Sequence, residues 1–241
     1  MSATSDNTTA WEGFWRDAPV GEGEVFWDAA PSLAVARHLP LFAEYFDPAL
    51  PVIDLGCGNG TQTRFLAEHF PRAIGIDVSA SAIDRARRED PAGVAEFHQV
   101  DAADADRIQA LHDDVGDANV YVRGVLHQCA PEDRPRIIEN IARLLGKRGR
   151  LFLVELAEDA KDVLMSLAQR PEGPPAKVRA IFSHGIAPAE MADGVIPDLL
   201  AGYGLETTGS GRLPLITTET RADGTPVEIP TNWLVARPRA A

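Results

Sequence analysis

The chain has 241 residues, 45% hydrophobic and 24% charged, a size that fits one α/β domain with elaborations and buries a full core without disulfide staples. Its formal net charge of −13 argues against a nucleic-acid substrate, because phosphate-backbone binding runs on Lys and Arg, and the short basic clusters "DRARRE" and "GKRGR" read as a solvated helix face and a helix C-terminus. Two cysteines make no disulfide framework, no window approaches the roughly eighteen apolar residues of a membrane span, and "MSATSDNTTA" lacks the regions of a signal peptide, so a cytoplasmic protein is expected.

Residues 1–10 read as a disordered tail of Ser, Thr, Asn and Asp without periodicity. Residues 11–46 form an N-terminal extension that carries Trp11, Trp15 and Trp27 between Gly and Pro breaks. One reading packs these rings on the domain. The other makes the segment a lid, with Trp15 and Trp27 in a substrate pocket.

Over residues 47–241 strand and helix patterns alternate. "PVIDL" (51–55) is a short buried strand, with a helix over 61–70. "RAIGIDV" (72–78) is a second strand, and the helix over 79–90 has Ser81 and Asp84 spaced like a capping box. "AEFHQVD" (95–101) is a third strand, followed by a polar helix near 104–113. "ANVYVRGV" (118–125) is a fourth. In the helix over 131–146, Ile137, Ile138, Ile141, Leu144 and Leu145 share one face, and Gly146 stops it. "GRLFLVEL" (149–156) is a fifth strand. Segment 160–204 mixes helical pieces with Pro and Gly and is expected to shape a substrate site; 205–238 reads as two strands joined at "ADGT". This rhythm predicts a doubly wound, mostly parallel sheet, with ligands bound beyond the carboxyl ends of its strands.

The first strand runs into "DLGCGNG", with Gly56, Gly58 and Gly60 at alternate positions. A dinucleotide fingerprint spaces its glycines differently, and Asp54 would repel a pyrophosphate on the helix N-terminus. The turn suits a ligand that carries positive charge and no phosphate, as S-adenosylmethionine (SAM) does with its ammonium and sulfonium. Cys57 and Asn59 complete the turn. Asp77, followed by Val78, ends the second strand, where a carboxylate accepts both ribose hydroxyls. Asp101 ends the third strand, placed for an adenine amino group, with Ala102 donating its N–H. Each strand-end Asp taken singly also reads as a cap or turn residue. Arg123, closing the fourth strand, joins the expected cofactor set.

Through "VIDLGCGNG", "GIDVS", "HQVDAAD" and "GRLFLVEL", residues 52–156 resemble the SAM-binding domain of class I methyltransferases. The resemblance implies SAM as cofactor and a Rossmann-like sheet of seven strands whose last, "TNWLVARP", is antiparallel. "VRGVLHQCAPEDRPRIIENIARLL" resembles the matching segment of small-molecule O-methyltransferases of the plant phenolic and bacterial polyketide type. That likeness puts His127 on the family's catalytic base and Glu155 on the Glu that orients it. The chain departs from the pattern at Gln128-Cys129, where the family has Asp-Trp, and at Ala187, near the place of a further family carboxylate. A hydrogen-bonded histidine at a helix start is the other reading of His127. His184, in "FSHGIAP", is a second base candidate at the substrate pocket.

The "[DN]-P-P-[YF]" tetrapeptide of nucleic-acid and glutamine N-methylation is missing, and Arg123-Gly124 stands where a catechol-type metal site needs carboxylates, so no metal is expected. The expected function is methyl transfer from SAM to a hydroxyl of a metabolite or natural product. N- or C-methylation, and a SAM-binding protein that transfers no methyl, stay open. The expected partner is a small molecule, with neither nucleic acid nor membrane, and homodimerisation is left open.

Overall fold

A computed structural model describes residues 3–188 and 191–239. A sheet covered on both faces needs strands that are apolar at nearly every position. β1 (Val52–Leu55), β2 (Ala73–Asp77), β4 (Asn119–Arg123) and β5 (Leu151–Leu156) meet that need, with Val52, Ile53, Ile74, Ile76, Val120 and Val122 wholly buried. They lie parallel with β3 (Glu96–Gln99) on one edge. β6 (Leu205–Arg212) forms the other edge, and β9 (Thr231–Pro238) inserts between β5 and β6, antiparallel to both. The order β3-β2-β1-β4-β5-β9-β6 is the doubly wound, mostly parallel seven-stranded sheet expected, with its last strand reversed.

The crossovers are α3 (Thr61–Leu66), α4 (Ala80–Arg88), α5 (Ala105–Val115) and α6 (Arg134–Leu145). Ile138, Ile141 and Leu144 of α6 fill one face together with Leu200 of α9 (Val195–Gly202). The other face is aromatic. Tyr121 and Phe152, register partners on β4 and β5, stack at 5.8 Å under α2 (Val35–Phe42). His38 of α2 places Nδ1 2.7 Å from the Tyr121 hydroxyl, and burial pushes its pKa down to about 3, which keeps it neutral.

Strand order reverses at β1, which has β2 on one side and β4 on the other. That reversal opens a crevice at the carboxyl ends of β1 and β4, the place where open α/β sheets bind ligands.

Several local expectations are corrected. Residues 3–10, read as a disordered tail, are the first turns of α1 (Ala3–Asp17), while residues 1–2 lie outside the described residues. Helix propensity is weak there; tertiary contact supplies the stability, with Phe14 and Trp15 buried farther along the same helix. α3 stops at Leu66 rather than 70, because Glu68 and His69 close tighter i→i+3 turns. The cap of α4 is Ser79, whose hydroxyl accepts from Ala82 N–H, and the Ser81–Asp84 box does not form. The C-terminal segment holds four strands rather than two. "ADGT" joins β7 (Leu215–Thr220) to β8 (Pro226–Ile229) in a separate two-stranded sheet. Segment 160–204 contributes α7 (Ala160–Ala168), α8 (Ala176–Ser183) and α9. Among the described residues no helix is long and apolar enough to cross a membrane.

Candidate active site

The chain leaves β1 through a turn in which Gly56, Gly58 and Gly60 all take positive φ, at 77°, 55° and 75°. Side-chain-bearing residues pay strain in this left-handed region. Space is equally decisive: a Cβ on Gly58 would meet the Trp15 ring at 2.6 Å, and one on Gly56 would meet Val125 at 2.4 Å. The N–H groups of Gly56 and Cys57 both donate to Ile76 O, which ties the turn to β2.

Acidic groups stand around this turn. Asp54 is 3% exposed and accepts a 2.6 Å hydrogen bond from Thr63 Oγ1; burial raises its pKa to about 6. Asp77 accepts from Gly58 N–H at 3.0 Å and Ser79 N–H at 2.9 Å, and burial again raises its pKa to about 6. Asp101 accepts from Ala103 N–H at 2.8 Å, while Ala102 O accepts from Asn140 Nδ2 at 2.9 Å. Arg123 donates from Nη1 to Trp27 O at 3.0 Å, linking β4 to the N-terminal extension. Burial pushes the Cys57 thiol well above its ordinary pKa, so it is a packing group here.

A second polar unit follows β4. Glu155, 3% exposed at the end of β5, receives four donors: the backbone N–H groups of Val125 and Leu126 at 2.8 Å, that of His127 at 3.2 Å, and His127 Nδ1 at 2.6 Å. With Nδ1–H donating to the carboxylate, Nε2 of the neutral ring is the acceptor, and Gln128 Nε2 faces it at 2.8 Å. Gln128 Oε1 is buried without a hydrogen-bond partner. His127 thus sits in a hydrogen-bonded turn with its Nδ1 on Glu155 and its Nε2 facing the Gln128 amide.

A cavity of about 230 Å³ joins these groups; another, of about 10 Å³, holds at most a water molecule. Its wall contains Asp54, Gly56, Cys57, Gly58 and Asn59 of the turn. Asp77, Val78, Asp101 and Ala102 continue it along the strand ends. Arg123 and His127 follow, and Trp15 and Trp27 come from the extension. Three sequence-selected residues lie elsewhere. Gly60 caps α3 against Phe97, and Glu155 stands behind His127. His184 ends α8 facing α1, its ring edge-on to Phe14 and its Nε2 3.6 Å from Asp17, so it is not a wall residue of the pocket.

Other residues join the site that the sequence did not single out. Asp28, 6% exposed, lines the cavity and accepts from Asn59 Nδ2 at 2.6 Å. Glu12 of α1 accepts from Ser79 Oγ at 2.7 Å, Ser81 N–H at 3.1 Å and Ser81 Oγ at 2.5 Å, which fastens α1 to the amino end of α4. A carboxylate is favoured there by the helix dipole. Trp11, Trp15 and Trp27 meet edge-to-face across the extension, and Arg85 covers Trp15 at 5.7 Å. The one available signal was acidic residues set among tryptophans; nothing local named their partners.

Among the described wall residues Asp28, Asp54, Asp77, Asp101 and Asp133 supply five carboxyl groups and Arg123 the single guanidinium. Such a wall fits a cationic ligand free of phosphate. A described cluster of His, Cys, Asp or Glu that could hold a metal ion is not found.

The sequence profile of the methyltransferase-domain family matches residues 52–149. The chain is similar to a SAM-dependent methyltransferase from Anabaena variabilis, with 34% identity, a TM-score of 0.90, and 96% of this chain and 95% of that one covered. It is similar in fold to magnesium protoporphyrin IX methyltransferase from Synechocystis PCC 6803 with bound S-adenosylhomocysteine (19% identity, TM-score 0.60, 98% and 95% covered). A trans-aconitate 2-methyltransferase from Methylobacterium nodulans is 30% identical over 162 residues, 62% of this chain and 57% of that protein. The chain spans about half or less of the length of other curated relatives it matches.

Proposed function

We propose, for a chain that belongs to the class I SAM-dependent methyltransferases, that it moves a methyl group from SAM to a hydroxyl of a small molecule, with His127 accepting the hydroxyl proton. SAM is the cofactor. When bound, it supplies a methyl group already activated by the sulfonium. The wall fits it in three respects: a glycine turn whose spacing a Cβ would fill, carboxyl groups at successive strand ends, and no cluster of cations for phosphates among the described residues.

In this reading Asp77 holds the ribose hydroxyls and Asp101 with Ala102 the adenine edge. Asp54 faces the cationic amino-acid end, and Arg123 pairs with its carboxylate. The chain's main work is orientation, worth roughly 7–11 kcal/mol when a bimolecular step becomes effectively unimolecular. Glu155 fixes the ring of His127 and its tautomer, which leaves Nε2 as the site of proton uptake. General-base assistance adds roughly 10²- to 10⁴-fold. The extension over residues 11–46 serves as a lid that keeps water from the reacting atoms.

The observation that carries the hydroxyl reading is the buried Glu155–His127 pair, whose histidine lines the cavity. Release of S-adenosylhomocysteine with hydroxylated acceptors, compared between wild type and His127→Ala, tests it. Turnover essentially unchanged in the variant would transfer the case to nitrogen or carbon acceptors. One observation favours that second reading: Gln128 Nε2 already occupies the basic nitrogen of His127. A tricarboxylate acceptor, after the name of the Methylobacterium relative, would need cations that the described wall, Arg123 apart, lacks.

A further inference from the structure

Past the groups assigned to the cofactor, the cavity wall changes character. Leu156 closes β5, Leu164 comes from α7, Val178 and Ile181 from α8, and Leu215 and Ile229 from the small β7–β8 sheet. No carboxyl or basic side chain from α7, α8, β7 or β8 joins the wall among the described residues. Aromatic surface is added by Trp11 and Trp27, whose rings meet edge-to-face at 5.4 Å. The wall's one described guanidinium, Arg123, already donates to Trp27 O.

The charge balance decides what this chamber takes. A carboxylate or phosphate entering it would lose its hydration, find no cation, and face the five acidic groups at the cofactor end. A buried ammonium fares little better, because the acids sit on the glycine turn, the strand ends, the extension and the start of α6 rather than in the apolar part. Uncharged polar groups also line the wall: Asn7 and Thr8 of α1, and Gln128, whose Nε2 faces His127 Nε2 at 2.8 Å. A hydroxyl on the incoming molecule is matched by His127 on the same wall, whose Nε2 takes its proton in the proposed reaction.

Resting on the reading of this chain as a small-molecule methyltransferase, we propose that its acceptor is an uncharged, ring-bearing, largely apolar compound with a hydroxyl as its polar handle and no carboxylate, phosphate or ammonium.

The test is calorimetric, on the full chain saturated with S-adenosylhomocysteine, using β-naphthol, hydroxynaphthoate and aminomethylnaphthol as probes at neutral pH. β-Naphthol is expected to bind at least roughly tenfold more tightly than either charged isostere, the desolvated charge being the difference. Equal or tighter binding of a charged isostere, or no binding of β-naphthol, overturns the proposal. Phe182, 44% exposed and on the cavity wall, offers a control that spares the core. Phe182→Arg should raise hydroxynaphthoate affinity about tenfold and leave S-adenosylhomocysteine affinity unchanged; an unaltered naphthol-to-naphthoate ratio places the probes elsewhere and overturns the proposal too. Failure of S-adenosylhomocysteine itself to bind would sink the methyltransferase reading instead. The three probes are then compared on the ligand-free chain, whose apolar wall is the same, and judged by the same outcomes.

Discussion

Nδ1 of His127 stands 2.6 Å from Oε2 of Glu155, and the same carboxyl group collects the backbone N–H groups of Val125, Leu126 and His127. One side chain therefore builds the turn after β4 and sets the ring's tautomer. Glu155→Gln would present an amide N–H to groups that themselves donate. It is expected to cost about 1–3 kcal/mol of stability in chemical denaturation and to lower kcat as well. His127→Ala is expected to lower kcat by roughly 10²- to 10⁴-fold with SAM affinity preserved. Loss of stability in Glu155→Gln without any loss of kcat in His127→Ala would leave the pair a purely structural one.

Gln128 touches the ring on its other nitrogen and keeps a buried, unpartnered oxygen. Gln128→Leu keeps the volume and removes the wall's amide beside the ring. The acceptor KM should rise about two- to tenfold, in line with one lost hydrogen bond of roughly 0.5–1.5 kcal/mol, and the SAM Kd should stay as it is. A steady-state comparison reads both; an unchanged KM rejects contact between Gln128 and the acceptor.

Gly58 combines a φ of 55° with a Trp15 ring 2.6 Å from where a Cβ would sit. Gly58→Ala should therefore weaken SAM binding and lower the melting temperature. Adding Trp15→Ala should return part of the binding, because it removes the collision but leaves the backbone strain of about 1–2 kcal/mol. No recovery in the double variant would show that strain alone is responsible.

Burial lifts Asp54 from 3.8 to about 6, and Asp77 likewise. The ligand-free folded chain thus holds protons through this window that the unfolded chain has released, so these two groups make stability fall as pH rises from about 4 to 6. A cationic ligand reverses the preference by favouring the carboxylates. SAM binding should then release protons near pH 6, and its Kd should rise by up to about tenfold per pH unit, per coupled carboxyl, as the pH falls below that value. Calorimetry in buffers of different ionisation enthalpy measures the released protons; proton uptake would contradict the placement of the cation beside Asp54.

Glu12 holds α1 against the amino end of α4 through Ser79 and Ser81. Glu12→Ala removes three hydrogen bonds and a charge favoured by the helix dipole. Trypsin should cut faster at the exposed Arg16, and S-adenosylhomocysteine should slow the cut if the segment closes over the cofactor. Cleavage that neither the substitution nor the ligand changes would remove the lid role.

Much of the molecule was legible from local pattern. Continuous apolar runs at Val52, Ile74, Val120 and Leu151 mark strands buried on both faces, and alternate glycines after Asp54 mark the turn between β1 and α3. These properties follow from backbone geometry over a few consecutive residues, which is why the buried parallel strands, the glycine turn and the acidic strand ends could be read along the chain.

Long-range contact decided the rest. Glu12 meets Ser81 across 69 residues, and Arg123 meets Trp27 across 96, so no window of sequence contains both partners. α1 has weak helical preference by itself and becomes a helix through Phe14, Trp15 and Glu12 docking on the domain. His184 resembled a pocket residue along the chain, but α8 turns it toward Asp17. Periodicity and turn chemistry are properties of neighbours in sequence, whereas the apolar chamber and the partners of each buried polar atom exist only once distant segments are packed together.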